Sequence, residues 1–92
     1  MSQLLSEVEV QQKLNQIQGW SLQGKTIQSV RTFANFTEAI DFVNRLVEPA
    51  ESAGHHPDLA ISYNKVTVSL STHDAGGLTD KDFQLASIIS KL

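Results

Sequence analysis

Ser6 stands three positions before Glu9, and Val10, Leu14 and Ile17 follow at i, i+4 and i+7. That is a capping box leading into one apolar stripe, and it predicts a first helix over about residues 6–18, ended by Gly19. From Trp20 the period shortens. Trp20 and Leu22 alternate with polar neighbours, Gln23-Gly24-Lys25 reads as a turn, and Ile27 to Phe33 is β-prone without clean alternation, which predicts a hairpin with one wet face. Asn35 with Glu38 is a second capping signature. Phe36, Ile40, Val43, Val47 and Ala50 continue it at helical spacing into a second helix reaching Gly54 to His56, with Pro49 expected to kink it or end it early. Leu59, Ile61 and Tyr63 then alternate with Ala60 and Ser62, and Val66, Val68 and Leu70 with Thr67, Ser69 and Ser71, about an expected two-residue turn at Asn64-Lys65. After the loop His73-Asp74-Ala75-Gly76-Gly77, Thr79 and Asp82 fall at N-cap and N3, and Phe83, Ala86, Ile89 and Leu92 form the stripe of a last helix.

The order is αββαββα, an α+β fold. Tightly turned strand pairs are antiparallel and each needs one apolar face covered, so a four-stranded antiparallel sheet with the helices packed on one face is expected. A chain of 92 residues has room for one core, which makes residues 1–92 a single domain. Without cysteine there is no disulfide framework and no thiolate ligand for zinc. The start Met1-Ser2-Gln3-Leu4-Leu5-Ser6-Glu7 lacks the basic and long apolar regions of a secretory signal, so the expected location is the cytoplasm. No run approaches the roughly 20 apolar residues that cross a bilayer, and no membrane partner is expected. A net charge of −3, with seven Lys and Arg thinly spread and few aromatics, argues against nucleic acid as partner, including an RNA-reading sheet of similar outline.

Charge and composition leave the histidines as the chemistry of the chain. All three, His55, His56 and His73, fall within one stretch close behind Glu51. Histidine is the side chain that exchanges protons near neutrality. Pro57 drives its predecessor out of helical backbone, so His55 and His56 belong in a turn before a strand starting near Asp58. Strand pairing about Asn64-Lys65 would return His73 beside them. Glu51, four residues before His55, is within reach to orient a ring.

A single histidine at a helix end is more often a cap or dipole partner, and His55 or His56 alone would be read that way. The three together point to a site. Three imidazoles also suit a zinc centre, although adjacent histidines rarely give two ligands to one tetrahedral ion. Asp82 reads as a capping carboxylate whatever else it does, Tyr63 as packing on its hairpin, and Trp20 as covering the core edge.

The pattern Glu51, His55-His56-Pro57, Tyr63, His73, Asp82 closely resembles the pterin-4a-carbinolamine dehydratase family. Tyr63-Asn64-Lys65-Val66, Leu70-Ser71-Thr72-His73, Gly77-Leu78-Thr79 and Leu85-Ala86-Ser87 resemble it as well, so the likeness covers residues 33–92, with Gly19-Trp20 as its trace in the N-terminal third. The resemblance implies a hydro-lyase that eliminates water from 4a-hydroxytetrahydropterin to give quinonoid dihydropterin, recycling the cofactor of aromatic amino acid hydroxylases. By the same carry-over His55, His56 and His73 are catalytic. His55 and His73 would be the acid-base pair and His56 would hold the pterin, while Glu51, Pro57 and Asp82 orient or bind. No metal and no resident cofactor are implied, the pterin being the substrate. A homodimer or homotetramer is expected, and an interaction module, as in the family's animal coactivators, is the alternative class. Leu59, where the family often has an aromatic, and Lys81, where it often has arginine, depart from the pattern, as does Pro49.

Overall fold

The computed structural model describes residues 3–92. Met1 and Ser2, where the leader reading and the single-domain span begin, lie outside the described residues. The elements are α1 (Glu7–Leu14), β1 (Ser21–Gln23), β2 (Thr26–Thr32), α2 (Phe36–Ala53), β3 (Asp58–Ser62), β4 (Lys65–Leu70), a 3-10 turn (His73–Ala75) and α3 (Asp80–Ile89). The four strands form one antiparallel sheet in the order β1-β2-β4-β3. This is the expected αββαββα arrangement.

Ser6 caps α1 as its spacing predicts, with the Glu9 carboxylate accepting from the Ser6 N–H at 2.9 Å. The helix is shorter than expected. Beyond Leu14 the backbone turns to i−3 bonds, Gln16 N–H to Lys13 and Ile17 N–H to Leu14, and of residues 15–19 only Ile17 supplies an apolar anchor. Without packing along a face, four more residues of helix do not hold.

Asn35 caps α2 by accepting from the Glu38 N–H at 2.9 Å, and the helix runs past Pro49 to Ala53. The expected early end does not occur. Ala39, Phe42, Leu46 and Ala50 lie buried on one stripe on both sides of the proline, and that packing outweighs the one backbone donor it lacks. Gly54, at φ 61°, ends the helix in the left-handed region that glycine enters without steric cost.

In the second hairpin Ser62 pairs with Lys65, so the turn is Tyr63-Asn64, one residue earlier than expected. Asn64 explains the shift. Its carbonyl accepts from the Phe33 N–H and its side-chain amide donates to the Phe33 carbonyl, both at 2.8 Å, and this holds it in the loop. Tyr63 therefore stands at the tip, at φ 51° and 65% exposed, and does not pack on the hairpin as predicted.

Ile27 from β2 and Val66, Val68 and Leu70 from β4 line the covered face of the sheet. Phe42 and Leu46 of α2, Val10 of α1 and Phe83, Leu85 and Ile89 of α3 close the core over it. Arg31, also on β2, lays its guanidinium 5.0 Å from the centre of the Phe42 ring and donates to the Ile89 and Leu92 carbonyls, which fastens the end of α3 to the sheet. Trp20 sits at the core edge as predicted, its indole N–H donating to Ser90 Oγ at 3.0 Å. Among the described residues no helix is long and apolar enough to cross a membrane.

Candidate active site

The left-handed turn at Gly54 lets the His55 N–H donate back to the Ala50 carbonyl at 3.1 Å, so His55 leaves the helix at a set angle. Its ring reaches across to α3, where Nε2 lies 2.5 Å from Asp82 Oδ1. The His55 side chain is 10% exposed and Asp82 is fully buried. Burying a carboxylate is costly unless its oxygens are bonded. Here Asp82 Oδ2 accepts from the Thr79 N–H at 2.9 Å and from Thr72 Oγ1 at 2.8 Å, while the Thr72 and Thr79 hydroxyls lie 2.8 Å apart. With Asp82 as carboxylate, His55 donates through Nε2–H, and Nδ1 has no partner among the described residues.

His56 pairs separately. Its Nε2 lies 2.5 Å from Glu51 Oε2, five residues back, and both side chains are mostly exposed. Glu51 was expected four residues before a ring on a continuous helix. Because α2 ends at Ala53, the i+4 geometry fails for His55 and the carboxylate meets His56. His73 opens the 3-10 turn after β4, exposed, with no side-chain hydrogen bond among the described residues.

The three rings meet at one open pocket of about 290 Å³, lined by His55, His56, His73 and Lys81, with Gly54, Ser71, Thr72 and Asp74. That is near the small end of small-molecule sites, about 300 Å³ and upward. Asp82 stands behind the pocket as the support of His55. Pro57 and Glu51 line a neighbouring apolar cleft of about 220 Å³ with Val43, Leu46, Val47, Ala50 and Leu59, and His56 borders both. Tyr63, although part of the sequence pattern, lies at the far end of β4, about 20 Å of strand away. No group of three or more His, Asp or Glu stands placed to hold a metal ion among the described residues.

Thr72, part of a family-like stretch, is not among the expected site residues, yet it carries a signal. Val66, Val68, Leu70 and Thr72 fall on one face at period two, so Thr72 is a polar residue at a core position and requires a buried partner. Arranged this way, the pocket presents two carboxylate-supported imidazoles and a third with no side-chain hydrogen bond among the described residues, a set suited to proton transfer on a small molecule.

The chain has relatives that match it over nearly its whole length. A protein of Cyanothece sp. that carries the provisional name pterin-4-alpha-carbinolamine dehydratase is 64% identical over 92 residues, all of this chain and 95% of its own length. One of the same provisional name from Sulfurisphaera tokodaii is 49% identical over 88 residues, 96% of this chain and 95% of its own. The crystal structure of a transcriptional coactivator/pterin dehydratase from Brucella melitensis superposes with a TM-score of 0.90 at 31% identity, covering 95% of each chain. A pterin dehydratase-like RuBisCO assembly factor of the alpha-carboxysome shares the fold, with a TM-score of 0.67 at 20% identity over 79% of this chain and 87% of its own. The family model for pterin 4 alpha carbinolamine dehydratase matches residues 3–92, and the chain belongs to that family of hydro-lyases.

Proposed function

We propose that this protein eliminates water from 4a-hydroxytetrahydropterin by histidine acid-base catalysis, without a metal, and so returns quinonoid dihydropterin to the cycle of aromatic amino acid hydroxylases. The observation that carries the reading is the meeting of His55, His56 and His73 at one pocket, with the buried Asp82 behind the first and Glu51 against the second. In the reaction the C4a–O bond breaks, its electron pair leaves with oxygen, and the N5–H pair becomes the new C4a=N5 bond. One group must protonate the departing hydroxyl and another must take the N5 proton. His55 suits the base: Asp82 stabilises the imidazolium that forms when Nδ1 takes the proton. His73, exposed and without a side-chain hydrogen bond among the described residues, suits the acid that releases water and recovers a proton from solvent. His56, steadied by Glu51, holds and polarises the pterin, and Lys81 borders the same space.

Added to 4a-hydroxytetrahydropterin generated in situ, the protein is expected to accelerate the absorbance change of dehydration, and alanine at His55, His56 or His73 should each cost at least about tenfold. An unaffected His73→Ala variant would remove His73 from the mechanism. Zinc at one per chain by elemental analysis, with activity lost on its removal, would overturn the metal-free route.

A homodimer or homotetramer is part of the reading. Leu59 on the edge strand β3 and Val47 on α2 are exposed apolar residues lining the cleft bordered by Pro57, Ile61 and Phe36 are exposed on the same two elements, and edge strands invite pairing. Light scattering is expected to give the mass of two or four chains, and a monomer at micromolar concentration would contradict it. The cytoplasm is the proposed site of action.

A further inference from the structure

His73 is the one histidine of the pocket whose ring no protein group holds among the described residues, so its placement depends on its loop. That loop is closed at the base by Thr72 and Gly77. The Thr72 N–H donates to the Gly77 carbonyl at 2.9 Å, and the Gly77 N–H to the Thr72 carbonyl at 3.3 Å. The Thr72 side of the base is anchored through its hydroxyl to Asp82. The Gly77 side is anchored by the residues ahead of α1: the Leu5 N–H donates to the Leu78 carbonyl at 2.9 Å, and Leu4 lies over Gly77. A Cβ on Gly77 would stand 2.8 Å from Leu4 Cδ1, inside any real contact distance. The φ of Gly77 is not in the left-handed region, so glycine serves there to let Leu4 approach and not to permit a turn.

From this we infer that Leu4 and Leu5 form a strap that positions His73 for proton delivery, with Gly77 as the seat that receives it. The inference rests on the dehydratase reading of the pocket. Leu4 is 53% exposed, so its contact over Gly77 adds little to the core, whereas it bears on a loop that carries an otherwise untethered ring. Displacements of about 1 Å at a reacting group can cost about a hundredfold in rate. The strap is a positioning device, acting only through His73.

The test is a double-mutant cycle on turnover. Gly77→Val, which drives Leu4 off its seat, should lower kcat about tenfold with KM changed by less than about twofold, and Leu4→Ala should lower kcat about threefold. Both losses should vanish in a His73→Ala background. If either variant costs the same factor there, the strap serves only the fold and the inference falls. Because Leu4 is half exposed, the Leu4→Ala protein folds even if Gly77→Val does not. The ring signals of His73 in a carbon–proton NMR spectrum provide a readout apart from activity. They should shift in Leu4→Ala while those of His56 stay in place, and unmoved His73 signals would overturn the strap. A wild type inactive on the pterin would instead remove the functional reading, with the ring signals still deciding whether the strap sets His73.

Discussion

Asp82→Asn is expected to leave the fold close to wild-type stability and to lower turnover at least about a hundredfold. The asparagine carbonyl can still accept from the Thr79 N–H and from Thr72 Oγ1, so the start of α3 keeps its cap and no buried donor there is orphaned. The amide nitrogen would then face His55 in place of Oδ1. A donor opposite Nε2 requires that nitrogen to accept, which moves the ring hydrogen to Nδ1 and removes the lone pair assigned as base. The change is one of tautomer, with geometry retained. Asp82→Ala should behave differently, losing turnover and about 2–4 kcal/mol of stability together, because the Thr79 N–H and one hydroxyl of the Thr72–Thr79 pair are left buried without an acceptor. Urea unfolding beside steady-state rates separates the two. Equal activity of Asp82→Asn and wild type would show that His55 does not work through Nδ1.

His56→Ala is expected to lose turnover by about 10² while its unfolding midpoint stays within about 0.5 kcal/mol of wild type. The side chain is 61% exposed and the carboxylate it meets, on Glu51, is 66% exposed, so no core contact depends on it. Loss of function without loss of stability is the mark of a residue kept for chemistry. Glu51→Gln should cost far less, because an exposed pair contributes little and the amide can still accept from the ring. A His56→Ala protein that unfolds more easily and works normally would assign this pair to the fold.

Much of this was legible in the chain before any coordinates, and the failures have physical causes. Capping signatures at Ser6, Asn35 and Thr79 placed all three helix starts, since a cap is a local interaction. The period-two runs through Ile61 and Val68 gave the β3–β4 pairing and the return of His73 to His55 and His56. Helix ends were less legible. Whether α1 outlasts Leu14 or α2 survives Pro49 depends on what packs against them, and that is tertiary information. The turn at Tyr63-Asn64 followed from a bond between Asn64 and Phe33, 31 residues apart, which no local rule contains. Within the site the members were readable and the partnerships were not. Glu51 supports His56 and Asp82 supports His55, because the helix ends between the carboxylate and the first ring.

The most direct measurement compares wild type with the His55→Ala/His56→Ala/His73→Ala triple variant, at matched folded concentration, on freshly generated 4a-hydroxytetrahydropterin. The expected result is a wild-type rate rising in proportion to protein above the spontaneous dehydration, and a triple-variant rate indistinguishable from buffer. A folded wild type that does not accelerate the reaction, or a triple variant that retains the acceleration, would contradict the claim that these three histidines are the catalyst.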